Sequence, residues 1–351
     1  MVQRTRRCRV AALLLTAALT VAACGDDAPA PAKNQPRPPT STKAFDGTTL
    51  QPGEVVHVDN LDGARLHQVR DGVVRSFETS VEVTEFGTAT QLGSGDAAYR
   101  ADGNAGLLVF SMTTERNERE TPLEGDVVAA VSVDDTQREL PDFSSTEADG
   151  EQTSYAVAVP KDRTAVTLDL KYSGAVQSFD LLDGKPTGER PDALYRADRG
   201  TVVYQEGLTP SQYDVEVGGQ TYTNEITVGR AELGYFPLRG HEMPSSDDKA
   251  WLSMWVGQDA KGTTCAAPLS AYRFTDADGT AYQPTQSASE VPEPSLLDTP
   301  VAVIAFEVPA DLAKGTLTIG APQVTCQVST STYTPVPAHG TATIDVTLPA
   351  S

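Results

Sequence analysis

Tyr155-Ala156-Val157-Ala158-Val159-Pro160-Lys161-Asp162 and Ile304-Ala305-Phe306-Glu307-Val308-Pro309-Ala310-Asp311 are two versions of one pattern. Each is a run of strand-forming residues that stops at Val-Pro, because proline has no N–H to give to a sheet ladder. Seven residues past each proline a further strand begins. It reads Thr167-Leu168-Asp169-Leu170 the first time and Thr316-Leu317-Thr318-Ile319 the second. A strand, a proline stop, a turn and a returning strand therefore occur twice, about 150 residues apart.

Earlier landmarks repeat in the same order. Gly106–Thr113 (GLLVFSMT) and Ala250–Val256 (AWLSMWV) are apolar runs. Their alternation puts Leu108, Phe110 and Met112 on one face, in parallel with Leu252, Met254 and Val256. Asp134 and Leu140 parallel Asp276 and Tyr282, six residues apart in both places. Asp276-Ala277-Asp278-Gly279 is a hairpin signal, since Asp and Gly tolerate positive φ. Gly and Pro are frequent and scattered, and long helical periodicity is missing. The expectation is an all-β chain with two copies of one domain, 46–197 and 198–351. The turn-rich, charged segment Gly184–Gly200 lies at their boundary.

The N-terminus reads as an address. Residues 1–9 are basic and residues 10–21 (VAALLLTAALTV) are apolar, too short a run to span a bilayer. A charged start, a short apolar centre and a small-residue end form a secretory signal. Val21-Ala22-Ala23-Cys24 resembles the bacterial lipobox, which implies lipid on the Cys24 thiol and cleavage just before it. Residues 24–45 then carry prolines at 29, 31, 36, 38 and 39 and few apolar side chains, the composition of a tether. In polyproline geometry, about 20 residues reach roughly 60 Å. Two acyl chains hold a protein stably where one is marginal. The expected location is the outer face of the cytoplasmic membrane, reached through a diacylglyceryl anchor on Cys24.

The formal net charge of −21 falls to about −25 once Arg4, Arg6, Arg7 and Arg9 leave with the signal. Nucleic-acid binding needs Lys and Arg against phosphates, so that class of partner is excluded. Cys265 and Cys326 are the cysteines of the folded region, and in an oxidising compartment an even pair reads as a disulfide. Closing about 60 residues stabilises by roughly 4 kcal/mol in the chain-entropy model.

Catalytic and metal motifs are missing. His57, His67, His241 and His339 are dispersed, and His241-Glu242-Met243-Pro244 lacks the second histidine of a zinc protease. No Gly-x-Ser-x-Gly elbow or phosphate loop occurs, and no cofactor is implied. Acidic pairs stand at Asp134-Asp135, Asp247-Asp248 and Asp276/Asp278. The candidate interaction site is the second face of the Trp251–Val256 strand, where Trp251, Ser253 and Trp255 align. The equivalent Leu107, Val109 and Ser111 carry no aromatic ring. If outward, the tryptophans form an aromatic patch of the kind that marks a partner or sugar site; the alternative is that the face packs under a loop or against the other domain.

Around these motifs the chain resembles bacterial lipoproteins with telokin-like, immunoglobulin-fold domains, a domain family of unknown function. The likeness covers roughly residues 75–175 and 225–320. It is carried best by WLSMWV, FTDADGTAYQP and VIAFEVPADLAKGTLTI, and in the first half by YAVAVPKDRTAVTLDL. A mycobacterial immunoprotective extracellular protein shares that fold. The resemblance implies two tandem β-sandwiches and supplies no catalytic residues to carry over. It departs from antibody domains, because Trp251 and Trp255 precede both cysteines. The expected function is a non-catalytic binding module of the cell envelope, presented to another envelope protein, a wall polymer or a small ligand. The competing expectations are an envelope hydrolase using paired carboxylates and a passive spacer.

Overall fold

The two Val-Pro strands each lie against the apolar run that precedes them. Asp149–Pro160 runs antiparallel to Ala105–Arg116, with Tyr155 opposite Phe110 and Val157 opposite Leu108. Pro300–Pro309 runs antiparallel to Lys249–Asp259, with Ile304 opposite Met254 and Phe306 opposite Leu252. The far side of each central strand pairs with a long strand, Thr79–Ala89 in the first half and Gln220–Gly234 in the second. Both of those strands bulge at the same place. The register skips one residue between Val83 and Glu85, and again between Val228 and Arg230. A bulge turns the strand and strengthens its twist. Its recurrence at matching positions is a second sign of the repeat, independent of side-chain type.

The structure is a computed structural model. It describes residues 45–351 apart from 77–78, 117–126, 146–148, 197–200, 204–210, 239, 241, 260–264, 286–292, 295–299, 330–331 and 350–351. The expectations for Cys24, the tether and His241 lie outside the described residues.

A second sheet closes each core. In the first half Val166–Tyr172 pairs with Val128–Val133 and Ala175–Asp180, which places Leu168 between Val131 and Phe179. In the second half Lys314–Ile319 pairs with Tyr272–Asp276 and Ala342–Thr347, which places Leu317 between Phe274 and Ile344. The inner faces are apolar and buried: Leu108, Phe110 and Met112 in one half, Leu252, Met254 and Val256 in the other. Phe274 reaches across to Phe306 of the facing sheet at 5.9 Å between ring centres. The fold is therefore all-β, with antiparallel sheets packed face to face. This register corrects one sequence equivalence. Opposite Thr167 stands Ser132, and opposite Thr316 stands Thr275, so Val133 and not Asp134 matches Asp276. The six-residue spacing lines up two turns whose lengths differ.

Every strand pairing stays on one side of residues 197–200. The apolar interior nevertheless runs through the joint, where Tyr172 meets Phe236 edge-on at 5.1 Å. A single helical turn, Asp192–Tyr195, clasps the two sides. The Tyr195 hydroxyl donates to Gln177 Oε1 and accepts from the Arg75 N–H. The Arg75 guanidinium donates to the Arg196 carbonyl. Arg196 is buried, and its guanidinium donates to the carbonyls of Ala310 at 2.6 Å and Pro349 at 3.3 Å.

The second half also carries an arm that the first lacks. Where Ser173 and Gly174 make a tight turn at φ +46° and +88°, the second half inserts the hairpin Gln323–Ser329 and Thr332–His339. The hairpin extends the main sheet through Ser211–Val217. Its outer strand pairs with Cys265–Ala266, and Cys265 faces Cys326 in that ladder. The two form a disulfide across a separation of 61 residues.

Candidate functional site

The tryptophan face is not an open patch: of the two alternatives for Trp251, Ser253 and Trp255, an outward aromatic face or a face packed under a loop, the structure shows the second for Trp251 and Ser253. After Gly234 the chain turns back over its own sheet through Tyr235, Phe236 and Leu238, all buried. The Trp251 indole N–H donates to the Glu242 carbonyl at 2.8 Å, and its side chain is only 6% exposed. Ser253 Oγ accepts from the Leu238 N–H at 3.0 Å and is 1% exposed. Trp255 is half-buried, and its indole N–H is shielded with no partner among the described residues. Opposite Trp255 stands Arg230, which pairs with Glu232 at 3.0 Å; the two side chains are 8% and 5% exposed. Alternation gives the two faces of a strand and carries no information about which distant segment lies on either. That is why the pattern located the face and left its cover open.

The acidic pairs are taken up in turns. Asp134 Oδ1 accepts from the Thr164 N–H and hydroxyl and from the Ala165 N–H, and these bonds hold its carboxyl below the usual range. Asp248 accepts from the Ser246 hydroxyl, which lowers it likewise. For Asp276 partial burial pushes upward. Bonds from the Tyr282 hydroxyl and the Thr280 and Asp278 N–H groups outweigh it, so the net shift is downward. Among the described residues, no three His, Cys, Asp or Glu side chains gather as a metal-binding group.

A cleft of about 590 Å³ opens instead on the outer side of the first half. It lies between two loops, 57–63 and 91–99, which roof the outer face of the sheet built on Ala105–Arg116. Under them sits a small separate core of Leu50, Val58, Leu92, Leu107, Val109 and Ala156. The loops are tied where the Gly93 N–H donates to the Asp62 carbonyl at 3.0 Å. Gly63 lies at φ +96°, and a Cβ there would stand 2.6 Å from the Gln91 carbonyl oxygen. Only glycine permits that approach. Val58 and Leu92 form the floor, and Asp59, Asp62, Gln91, Ser94 and Tyr99 supply polar lining. His57 borders the cleft, but its register partner is Tyr155, and its ring lies against that side chain at 5.8 Å. Burial and the charge of Asp142 push the Tyr155 hydroxyl up to about 12.

None of the polar lining residues was a sequence candidate. They come from two loops some thirty residues apart, without periodic pattern. The only signal was turn chemistry, Asp59-Asn60 before Asp62-Gly63 and Gly93-Ser94-Gly95. Compared with protein-family models, curated proteins and solved structures, the chain matches none.

Proposed function

We propose that this chain is an extracytoplasmic lipoprotein, anchored through lipid on Cys24. In this reading residues 46–197 and 198–351 form two immunoglobulin-like, telokin-like domains. Their task is non-catalytic: capture of a small polar ligand, free or part of a wall polymer, in the cleft between the loops 57–63 and 91–99. The observation that carries the reading is the cleft itself. Its size falls within the range of about 300–1,000 Å³ common to ligand sites. Its walls are pinned to each other by backbone contact, so little ordering is required on binding.

The test is a thermal-shift and calorimetric screen of the purified protein against small polar molecules, with Ala97→Trp run in parallel. Ala97 is exposed at the cleft wall, so the indole fills the cleft without entering the core. Ligands that stabilise the wild type and leave Ala97→Trp unmoved support the proposal. A full screen with no ligand, or ligands that bind both proteins equally, overturns it. Membrane fractionation of Cys24→Ser tests the anchor separately: the variant is expected in the soluble fraction.

A further inference from the structure

We infer that the cleft takes an uncharged, hydroxyl-rich ligand, that is, a sugar unit. This rests on the binding reading above and names its ligand class. The argument starts from what the lining can still bond. Among the described residues, six lining groups have hydrogen-bonding capacity that no protein partner uses: the His57 imidazole, the Asp59 carboxylate, Asp62 Oδ1, Gln91 Oε1, the Ser94 hydroxyl and the Tyr99 hydroxyl. Three are acceptors only, and the two hydroxyls and the neutral imidazole both donate and accept. Sugar hydroxyls also do both, so adjacent ones can donate to the carboxylates and the amide oxygen while accepting from Ser94 and Tyr99.

Other classes fit less well. A phosphate or carboxylate ligand needs donors and positive charge, and this lining holds two carboxylates and no Lys or Arg. A metal ion needs several ligands at once, and no such group forms among the described residues. An apolar ligand needs apolar walls, and here the Val58–Leu92 floor, Ala97 and the Tyr99 ring are interrupted by the polar side chains of Asp59, Asp62, Gln91 and Ser94. An amine would be drawn by Asp59 and Asp62. Both are exposed, however, and an exposed ion pair contributes only about 0–1 kcal/mol.

One acceptor is also held in place. The Asn60 amide donates to Asp62 Oδ2 at 2.9 Å, and the Asp62 N–H donates to Asn60 Oδ1 at 2.7 Å. This reciprocal pair holds the Asp62 carboxylate in one rotamer and leaves Oδ1 without a protein partner, so a bond to it costs little ordering. Tyr99 packs its ring on the small core while its hydroxyl stays unpaired, so one side chain offers both an apolar surface and a polar tip.

The experiment is calorimetry on the full chain with four probes: cellobiose, N,N′-diacetylchitobiose, putrescine and inorganic phosphate. Saturation-transfer NMR on the same samples extends the range to weak binding. The expected result is that at least one disaccharide binds, with an affinity that changes less than about twofold when salt rises. Asp59→Ala and Tyr99→Phe each remove an unpaired group and no protein–protein bond, so both fold as the wild type does. Each is expected to weaken the disaccharide by roughly tenfold, the loss typical of a hydrogen bond to a charged or well-held partner. Putrescine or phosphate binding, blocked by Ala97→Trp and without disaccharide binding, overturns the sugar assignment and leaves the binding module standing. No binding of any probe, together with an empty small-molecule screen, overturns both.

Discussion

Glu85 and Arg230 occupy the same place, one step past the bulge in the strand that flanks each central strand. Their surroundings are opposite. Glu85 is half-buried and accepts from Ser111, Gln68 and Gln152, an open polar network at the rim of its sheet. Arg230 is buried and pairs with Glu232 at 3.0 Å. The two interiors are alike and the two outer faces are not. The first is roofed by loops that leave a cleft, and the second carries a returning segment over Trp251 and Ser253 and a buried charge pair. The matching strands of the two halves therefore keep a like interior under different covers, and only the first half's cover leaves a cleft of about 590 Å³ among the described residues.

The sharpest way to break that comparison is to change the matching residues. Arg230→Met removes the Glu232 carboxylate's ion-pair partner at 3.0 Å in a buried site and is expected to cost about 3–5 kcal/mol. Glu85→Gln keeps most of its network and is expected to cost less than about 1 kcal/mol. Urea unfolding of the two variants decides. Equal losses would mean that the Arg230–Glu232 pair is not shielded from water as its burial indicates.

The second-largest effect concerns the arm that only the second half carries. Cys265→Ser with Cys326→Ser opens a link across 61 residues and is expected to cost about 2–4 kcal/mol. Amide exchange should locate the loss. Protection is expected to fall in Gln323–Ser329 and Thr332–His339 and to hold in Ala105–Arg116, where no disulfide acts. A uniform loss across both halves would show that the joint transmits the change through its continuous core.

The sequence made the interior readable because burial imposes a period on side chains. Leu108, Phe110 and Met112, and Leu252, Met254 and Val256, sit where alternation places them. The Val-Pro stops end both ladders, with Pro160 opposite Ala105 and Pro309 opposite Lys249. The covers were not readable, because they depend on contacts between distant segments that leave no period. Tyr235–Leu238 over Ser253 is one case, and Gly63 against Gln91 is another. The cleft belongs to that second kind of information, which is why Asp59, Asp62 and Tyr99 emerge only from the folded chain.

The interiors are alike in outline but distribute their volume differently, and this gives a finer test. Val131 and Val166 of the first half correspond to Phe274 and Gly315 of the second. The Phe274 ring occupies the space a side chain at 315 would need: a Cβ there would stand 2.3 Å from its Cζ. Gly315→Val alone is expected to overpack the core and cost about 1–3 kcal/mol. Adding Phe274→Val, which restores the first half's pairing, is expected to recover at least half of that. A double-mutant cycle measures the coupling. Additive losses would show that the Thr275 carbonyl, at 2.5 Å from the same Cβ, sets the limit rather than the ring.

The smallest effect is in the turns and shows as a difference in pH profile. Asp134 in the first half and Asp276 in the second both have carboxyl groups held below their ordinary value of 3.8. A depressed carboxyl contributes stability that is present above the unfolded value and is lost as pH falls through the folded one. Both turns therefore weaken below about pH 4. Asp276 differs in taking a bond from the Tyr282 hydroxyl, which desolvation and the adjoining carboxylate push up to about 12. A raised tyrosine contributes stability that is present below its ordinary value of 10 and is lost as pH rises toward 12. The second-half turn thus has an acid limb and an alkaline limb, and the Asp134 turn has an acid limb alone. Melting temperature against pH should separate them. Tyr282→Phe is expected to flatten the alkaline decline above pH 10, and Asp134→Asn is expected to flatten the acid decline only. Loss of the alkaline contribution in Asp134→Asn would tie the two turns together through the core, which the separate sheets do not provide.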